Sequence, residues 1–409
     1  MTGFLGKVLC LFYLQALFPC GIIRQIVNTQ TVKQSMITVL QLCEHFGGRE
    51  ASLHGVARAF QWWLPAFDNR RFRVLLCSRK GPDKASAQMR AAGLDPLHLG
   101  FGKIDPRNLT ALLRLLRRER VDIIHAHGYG ACTWGRLAGL RLNLPVIVHE
   151  RCNYGVVPWY QRPVERILGP RTKYALAVSE STKQFCIRQR YIPADTIEVL
   201  YHGMMMEDMP PADPAWLAAL RAEHSAGTDI KVIGIVGRLE PHKGHADAMA
   251  ALAKLQRQDW QLWIVGDGSS LEDLRGQATA LGIADRTVFL GFRPDARKVI
   301  QAFDIQLFPS RMEGTPNTLY EALAAGHAIA ASTADGQGEI LTDGATALMF
   351  PPGDISRMGE QLTRLLDDAA LRDRLRAQAA QRAKDFDGRH TIERLQSLYE
   401  RIMAAPHPA

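Results

Sequence analysis

Two glutamates with seven residues between them, Glu313 and Glu321, are the strongest chemical signal in the sequence. They enclose a glycine turn and the start of a predicted helix. We predict Thr315 as the N-cap of that helix and Pro316 as its first residue. A hydroxyl can accept a hydrogen bond from an unpaired amide of the first turn, and proline has no N–H group that would be left unpaired there. Free amides at a helix start attract anions, phosphates above all. Glu321 lies deeper in the helix among apolar residues, so its carboxylate is expected to bind hydroxyl groups.

A second chemical signal is the loop at residues 237–244, which is bounded by glycines and carries Arg238 and Lys243. An arginine offers a planar fork and a lysine a point charge, and together they suit a pyrophosphate. Taken alone, such a loop is more often ordinary surface. Its spacing is neither that of a P-loop nor that of a G-x-G-x-x-G fingerprint. The phosphate interpretation therefore depends on the segment from Glu313 to Glu321.

The first half of the chain offers glycines and histidines. Gly47 and Gly48 follow the first predicted strand, where they would either let a ligand approach the backbone or serve a tight turn. His125 and His127 lie at strand spacing on one face, and His149 ends another strand. Zinc would need a further partner at suitable geometry, so no metal site is predicted. At the edge of a sheet these histidines are better placed for substrate.

Short apolar runs that alternate with helical patterns position these residues. The alternation predicts an α/β fold of parallel sheets wrapped by helices. The first series of predicted strands covers residues 37–43, 73–78, 96–100, 121–127, 145–150, 174–179 and 197–201. The second series covers residues 231–236, 261–265, 288–290, 305–310 and 328–332. Two doubly wound domains would bring the carboxyl ends of both sheets to one cleft, where such folds bind ligands.

Four segments are predicted along the chain. Residues 1–35 form an apolar N-terminal extension, whose apolar run is short for a spanning helix; we interpret it as an upstream extension or a weak membrane hook. Residues 36–208 and 209–385 form two Rossmann-like domains. Residues 386–409 form a C-terminal helix that is expected to pack back on the first domain.

Charge is distributed unevenly. Residues 1–200 contain 28 Lys and Arg against 13 Asp and Glu, whereas the remainder contains 22 against 28. A basic half suggests an anionic partner such as a bilayer surface, a lipid phosphate or nucleic acid, although a merely soluble basic face explains it equally well. The seven cysteines are odd in number and lack C-x-x-C pairs. That argues against a disulfide framework and suits the cytoplasm.

Several motifs occur in a recognisable order: Gly237-Arg238-Leu239 with Lys243-Gly244, Val265-Gly266-Asp267-Gly268, Phe289-Leu290-Gly291, Glu313-Gly314 with Glu321-Ala322, and Pro351-Pro352-Gly353-Asp354. With them the chain resembles the family 4 retaining glycosyltransferases of the GT-B fold, from Met36 nearly to the end. The resemblance implies that residues 36–208 form the acceptor domain and residues 209–385 the nucleotide-sugar donor domain.

The resemblance also implies roles by position. Arg238 and Lys243 would bind the donor diphosphate, and Arg293 would contact the base. Glu321 would hold the ribose hydroxyls. His149 would lie near the reacting sugar and Glu313 would contact it, so these two are the predicted catalytic pair. The remaining predicted donor-binding residues are Gly47, Gly48, Gly314, Thr315, Pro316, Asn317 and Thr318.

The implied reaction moves a sugar from a nucleoside-diphosphate sugar to a glycan or lipid-linked acceptor, at the cytoplasmic face of a membrane. Cations and helix amides would stabilise the leaving diphosphate, so no metal or other cofactor is expected. A glycosidase carboxylate pair would leave the loop at residues 237–244 unexplained. The alternatives are a nucleotide-sugar epimerase of the same fold and a non-catalytic nucleotide- or polyanion-binding protein. No motif for nucleic-acid bases is evident, and no nucleic-acid partner is expected.

The sequence departs from the family pattern in three places. The linker reads Tyr201-His202-Gly203-Met204-Met205 where Asn-Gly-Val-Asp is usual. The segment Asp335-Gly336-Gln337-Gly338-Glu339 replaces a Gly-Gly turn before a glutamate. His149 is followed by Glu150-Arg151, where an aspartate is common, and this departure bears on donor or acceptor preference.

Overall fold

The computed structural model describes residues 36–47, 53, 55–153, 155–211 and 213–405. The predicted extension at residues 1–35 and the predicted site residue Gly48 lie outside these ranges. Among the described helices, none combines the length and the apolar character needed to cross a bilayer.

The first domain is built on a parallel sheet of seven strands. Every residue of its first strand is buried, as expected for a parallel strand covered on both faces. The strands are β1 (Ile37–Cys43), β2 (Phe72–Ser78), β3 (Leu97–His98), β4 (Ile123–His127), β5 (Val146–Glu150), β6 (Tyr174–Ala177) and β7 (Ile197–Val199). The helices are α1 (Gly55–Trp63), α2 (Lys84–Ala91), α3 (Arg107–Arg118), α4 (Tyr129–Leu142), α5 (Arg162–Leu168) and α6 (Glu180–Arg190).

The second domain contains a parallel sheet of six strands. The strands are β8 (Lys231–Val236), β9 (Trp260–Val265), β10 (Thr287–Gly291), β11 (Ile305–Phe308), β12 (Ala328–Ser332) and β13 (Leu348–Phe350). The helices are α7 (Pro214–Glu223), α8 (His245–Ala253), α9 (Leu271–Ala280), α10 (Ala296–Val299), α11 (Asn317–Ala324), α12 (Gln337–Ile340), α13 (Ile355–Asp367), α14 (Ala369–Ala383) and α15 (Gly388–Ala404). The sequence prediction missed β13.

Both sheets are doubly wound. The strand orders are β3-β2-β1-β4-β5-β6-β7 and β10-β9-β8-β11-β12-β13, so the winding reverses between β1 and β4 and between β8 and β11. Ligands of such sheets bind outside the carboxyl ends of the strands at that reversal. The register places Cys43 beside His127 and His127 beside His149, which brings these side chains to one level of the first sheet.

The chain crosses between the domains twice, at neighbouring points. The amide of Met204 donates to the carbonyl of Phe386 at 3.1 Å, and the amide of Gly388 donates to the carbonyl of Met204 at 2.8 Å. Helix α15 then lies against the first sheet, where Gln41 Nε2 donates to Tyr399 Oη at 2.9 Å. The C-terminal helix therefore packs on the first domain, although it follows the second domain in the chain.

One local prediction is wrong by a single residue. Helix α11 begins at Asn317, and Pro316 is its N-cap with an extended backbone, φ −68° and ψ 132°. Thr315 therefore lies one position before the cap. No side chain caps the first turn of this helix, so its leading amides remain available to a ligand.

Candidate functional site

A cavity of about 510 Å³ lies between the two sheets, at the carboxyl ends of their strands. Its walls come from both domains. Nine of the predicted site residues line it: Arg238, Lys243, Arg293, Glu313, Gly314, Thr315, Pro316, Asn317 and Thr318. Among the described residues, the predicted Gly47, His149 and Glu321 lie behind this lining rather than in it.

A tight turn brings Lys243 to Glu313. The turn Pro241–Lys243 ends at Gly244, whose φ of 73° lies in the left-handed region that favours glycine. A Cβ at this position would overlap the carbonyl oxygen of Pro309. The loop therefore rests directly on the chain that follows β11, and Lys243 Nζ donates to Glu313 Oε1. The two side chains are 18% and 10% exposed, so solvent screens this ion pair only in part.

The turn before helix α11 is a contact between the domains. A Cβ on Gly314 would lie 2.5 Å from the carbonyl oxygen of Arg151 in the first domain. Asn317 Nδ2 also donates to the carbonyl of Gly55 at 3.2 Å. The amide of Glu313 donates to Asp335 Oδ2 at 2.8 Å. The uncapped helix start is thus fixed from two sides while it faces the cavity.

Glu321 is fully buried one layer behind the cavity wall. Arg297 Nε donates to its Oε1 at 3.1 Å, and Arg58 Nη1 lies 3.9 Å from the same oxygen. Its Oε2 has no hydrogen-bond partner within the described part of the chain. A buried carboxylate oxygen without a donor is costly, so this oxygen has an unused capacity to accept a hydroxyl.

Arg293 also lines the cavity, beside Phe292. Its guanidinium donates to both carboxylate oxygens of Asp295, at 2.7 and 2.8 Å. The bidentate pair fixes the direction of the side chain, and it leaves the arginine at the edge of the cavity.

The buried histidines form a hydrogen-bonded chain that ends at the cavity. Arg151 lines the cavity, and its Nη1 lies 3.3 Å from His149 Nε2. His149 Nδ1 lies 3.0 Å from His125 Nε2, and His125 Nδ1 lies 2.7 Å from Tyr399 Oη. An arginine is always a donor. The Nε2 atom of each neutral imidazole, on the side of Arg151, must therefore accept a hydrogen bond. The Nδ1–H group of each ring, on the side of Tyr399, must donate one.

Burial keeps these imidazoles neutral. It lowers the pKa of His125 to about 3, and it lowers the pKa of His149 well below its ordinary value, with the Arg151 guanidinium adding to both shifts. Burial also lowers the pKa of Arg151 to about 9, which leaves it cationic at neutral pH. Arg151 stacks on Trp63 at 4.9 Å, and its Nη2 has no hydrogen-bond partner among the described residues.

The histidine cluster also has the composition of a metal site. The ligand atoms of His125, His127 and His149 all lie within 4.8 Å of one another. However, His127 Nε2 lies 2.8 Å from Gln41 Oε1, and the nitrogens of the other two rings bond to each other and to Tyr399. The guanidinium of Arg151 at the open end would also repel a cation. The arrangement fits a hydrogen-bonded chain better than a metal site.

Sequence reasoning missed several residues of the site. Arg58 and Arg151 line the cavity, and Tyr399 anchors the histidine chain from the last helix. Arg151 directly follows β5, so the rule that ligands bind at carboxyl strand ends could have found it. Asp335 accepts from Asn153 Nδ2 at 3.0 Å across the domains, and no local pattern announces that contact.

Two family models match the chain. The model described as Glycosyltransferase Family 4 matches residues 53–207, and the model described as Glycosyl transferases group 1 matches residues 218–382. The chain is 26% identical to the UDP-Gal:alpha-D-GlcNAc-diphosphoundecaprenol alpha-1,3-galactosyltransferase of Escherichia coli, over 78% of this chain and 86% of that protein. It is 29% identical to the 2-deoxystreptamine glucosyltransferase of Streptomyces kanamyceticus, over 72% of this chain and 81% of that protein.

The fold has solved counterparts. The structure of Anabaena HepE in complex with UDP superposes with a TM-score of 0.77 at 20% identity, over 89% of this chain and all of that one. Such a likeness establishes the fold. The two-domain architecture predicted from the sequence is thereby confirmed as GT-B.

Proposed function

Since this chain belongs to the glycosyltransferases of group 1 and family 4, we propose that it moves a hexosyl group, with retention, from a nucleoside-diphosphate sugar to a glycan or lipid-linked acceptor. One observation carries the proposal. The Lys243–Glu313 pair and the uncapped start of helix α11 converge on a single cavity between the two sheets.

The diphosphate is assigned to the side of the cavity formed by the second domain. Lys243 and Arg238 both line it, and so do Asn317 and Thr318 at the uncapped start of helix α11. A departing diphosphate gains negative charge as the glycosidic bond breaks, and fixed cations and amides stabilise that charge in a cavity with little water. These groups supply the charge that a metal supplies elsewhere, so we propose metal-independent transfer.

The nucleoside is assigned to the part of the same wall that carries Arg293 and lies in front of Glu321. The unpartnered Oε2 of Glu321 would accept a ribose hydroxyl, and Arg293 would contact the base. Arg58 approaches the same region from the first domain, because it lines the cavity and its Nη1 lies 3.9 Å from Glu321 Oε1. The sugar lies nearest Glu313 in this arrangement. Gly47 and Gly48 remain proposed for the backbone that approaches the phosphates from the first domain.

The proposed transfer needs no nucleophile from the protein. The bond from the anomeric carbon to the phosphate oxygen breaks, the acceptor oxygen attacks from the same face, and its proton passes to the departing phosphate. Arg151 covers His149 Nε2 in the structure, so His149 acts by positioning that guanidinium.

The acceptor side is proposed from the charge and from the relatives. The Escherichia coli relative is named for a diphosphoundecaprenol acceptor, which is a membrane-anchored anion. The first domain of this chain carries the excess of positive charge. We therefore place the acceptor, and peripheral contact with an anionic membrane, on the first domain at the cytoplasmic face.

The test is a donor screen in the presence of EDTA. A sugar donor that binds only the folded state raises the melting temperature, so UDP-, GDP-, ADP- and dTDP-sugars are compared with the free nucleoside diphosphates. We expect one nucleotide to stand out and its sugar to be released slowly without acceptor. Interconversion of the donor to an epimer would indicate the epimerase instead, and no response to any nucleoside diphosphate would refute the proposal.

A further inference from the structure

Tyr399 belongs both to the last helix of the chain and to the core of the first domain. Helix α15 carries it, and its side chain is fully buried. The ring stacks on Phe67 with 6.0 Å between ring centres, and it meets Phe72 edge to face, also at 6.0 Å. These two contacts involve the ring alone. They therefore hold the hydroxyl in place and would survive its removal.

The Tyr399 hydroxyl ends the chain of hydrogen bonds that starts at the cavity. Since Arg151 donates at the far end, the Nδ1–H group of His125 must donate to Tyr399 Oη, at 2.7 Å. Gln41 Nε2 donates to the same oxygen at 2.9 Å. Tyr399, His125 and Gln41 are each 2% exposed or less. Bulk water therefore cannot replace the hydroxyl as the acceptor for His125.

Loss of this hydroxyl would be felt at the cavity. Without it, the Nδ1–H group of His125 would be buried without an acceptor, which is costly. The ring avoids that cost by carrying its proton on Nε2, which lies 3.0 Å from His149 Nδ1. His149 must then accept at Nδ1 and carry its own proton on Nε2. That N–H group would point at Arg151 Nη1, which is 3.3 Å away and is itself a donor.

The neighbouring side chains hold the members of the chain in place. Gln41 Oε1 lies 2.8 Å from His127 Nε2, so the amide oxygen of Gln41 is already engaged. The fully buried His149 ring stacks on Trp63 with 6.4 Å between ring centres and meets His202 at 6.1 Å. For a ring enclosed in this way, a change of tautomer costs less than a rotation.

We propose that Tyr399 is a positioning residue of the transfer reaction, because through His125 it holds His149 in the tautomer with the proton on Nδ1. His149 Nε2 then accepts from Arg151 and fixes that guanidinium in the wall of the cavity. The proposal rests on the proposed function, since the position of Arg151 affects a reaction only if a sugar is transferred in this cavity. It gives the last helix a part in the chemistry of the first domain.

The experiment compares the full chain with its Tyr399→Phe variant by nitrogen NMR of isotope-labelled histidines, with a His149→Gln spectrum for assignment. We expect the proton of His149 to move from Nδ1 to Nε2 in the variant. The rate of UDP-galactose or UDP-glucose hydrolysis without acceptor should fall about tenfold, the equivalent of one unpaired buried N–H group. The dissociation constant of UDP should stay unchanged, because Tyr399 does not line the cavity.

Tyr174→Phe is the matched control. It makes the same change in the first domain at the amino end of β6, beside Ile147 rather than His149. This variant should keep the tautomer and the hydrolysis rate of the parent chain. An equal fall in rate for Tyr174→Phe and Tyr399→Phe would overturn the proposal.

A second pair of variants separates positioning from packing. Arg151→Gln replaces the obligate donor by an amide that can present its oxygen instead. Tyr399→Phe should therefore lower the melting temperature less in the Arg151→Gln chain than in the parent chain. Equal losses in the two backgrounds would overturn the proposal, because Tyr399 would then act by packing alone.

The remaining outcomes are also decisive. A folded Tyr399→Phe variant whose His149 keeps its proton on Nδ1 would overturn the proposal, and so would an altered tautomer with an unchanged hydrolysis rate. A parent chain that binds no nucleoside diphosphate would refute the proposed function, whereas the spectra would still decide whether Tyr399 sets the tautomer of His149.

Discussion

Substitution of Lys243 by alanine offers the most direct check on the assignment of the diphosphate. The lysine lines the cavity, is 18% exposed and is held by Glu313 from the neighbouring loop. We expect Lys243→Ala to weaken the binding of a nucleoside diphosphate by about 10- to 150-fold. The lost contact is a charge-assisted hydrogen bond worth about 1.5–3 kcal/mol, and about 1.4 kcal/mol corresponds to a factor of ten.

The existing ion pair with Glu313 also affects the binding of a phosphate at this position. In the parent chain, part of the attraction between Lys243 and the ligand is offset because the ammonium is shared with Glu313. In the variant, the Glu313 carboxylate remains in the cavity without its cation. At about 5 Å and an effective dielectric constant of about 20, it would repel a phosphate charge by about 3 kcal/mol before screening. The same carboxylate is present in the parent chain, so the effect of Lys243→Ala stays within the range set by the lost lysine contact, and the repulsion is tested by removing the Glu313 charge.

That reasoning is tested with a second variant. If residual repulsion contributes, Lys243→Ala combined with Glu313→Gln should bind the diphosphate more tightly than Lys243→Ala alone, by about tenfold. Titration calorimetry with UDP and with inorganic pyrophosphate measures both steps. Lys254→Ala, at an exposed position of the same domain away from the cavity, is the matched control. A folded Lys243→Ala variant that binds pyrophosphate within twofold of the parent chain would refute the assignment.

Three other predictions follow from the same cavity. Glu321→Gln should weaken the binding of UDP but leave that of inorganic pyrophosphate nearly unchanged, because the buried carboxylate is assigned to the ribose; equal losses for the two ligands in calorimetry would contradict it. Gly314→Ala should lower the transfer rate and the melting temperature, since its Cβ would lie 2.5 Å from a carbonyl of the other domain, whereas Gly276→Ala, with open space around it in the middle of helix α9, should leave the rate unchanged and should not lower the melting temperature. Burial lowers the pKa of His125 from 6.5 to about 3, so within this window the unfolded chain binds a proton that the folded chain does not. The contribution of His125 to the free energy of unfolding is complete above pH 6.5. Below pH 6.5 the free energy of unfolding falls by up to about 1.4 kcal/mol per pH unit. Urea unfolding of the parent chain at pH 7 and pH 5 measures this fall, and equal free energies of unfolding at the two pH values would contradict the prediction.

The strands illustrate what the sequence could predict. The bounds of β1, β8 and β12 match the predicted segments residue for residue, because each is a short, mainly apolar run rich in residues that favour burial in a sheet. β13 has three residues, which is too short for an apolar run to be distinguished from a loop. The helix after Glu313 was predicted correctly, but its start was misplaced by one residue because both Thr315 and Pro316 are acceptable at a helix N-terminus.

The site was predictable where its residues are neighbours in the chain and unpredictable where they meet only in the fold. Lys243 and Glu313 follow strands of one sheet, so a parallel sheet brings their loops to the same edge. The contact between His125 and Tyr399 joins residues 274 positions apart. Neither residue lies in a local sequence pattern that would indicate the other as its partner. Only the return of helix α15 onto the first domain creates the chain that orients His149.

The contacts between the domains suggest how the site is assembled. Asp335 accepts from Ser181 Oγ at 2.6 Å in the first domain and from the amide of Glu313 at 2.8 Å in its own. Glu339 accepts from the amides of Glu180 and Ser181 at 2.7 and 2.9 Å. These amides open helix α6, where a carboxylate is favoured by the helix dipole.

The acidic second domain is thus attached to the basic first domain through a helix start. Asp335 links the first domain to the turn that carries Glu313, because it accepts hydrogen bonds from both Ser181 and the Glu313 amide. Any opening of the domains that separates Asp335 from Ser181 would loosen its hold on the Glu313 amide. The position of Glu313 is therefore coupled to closure of the cavity, and a substrate that bridges the two walls would stabilise both together.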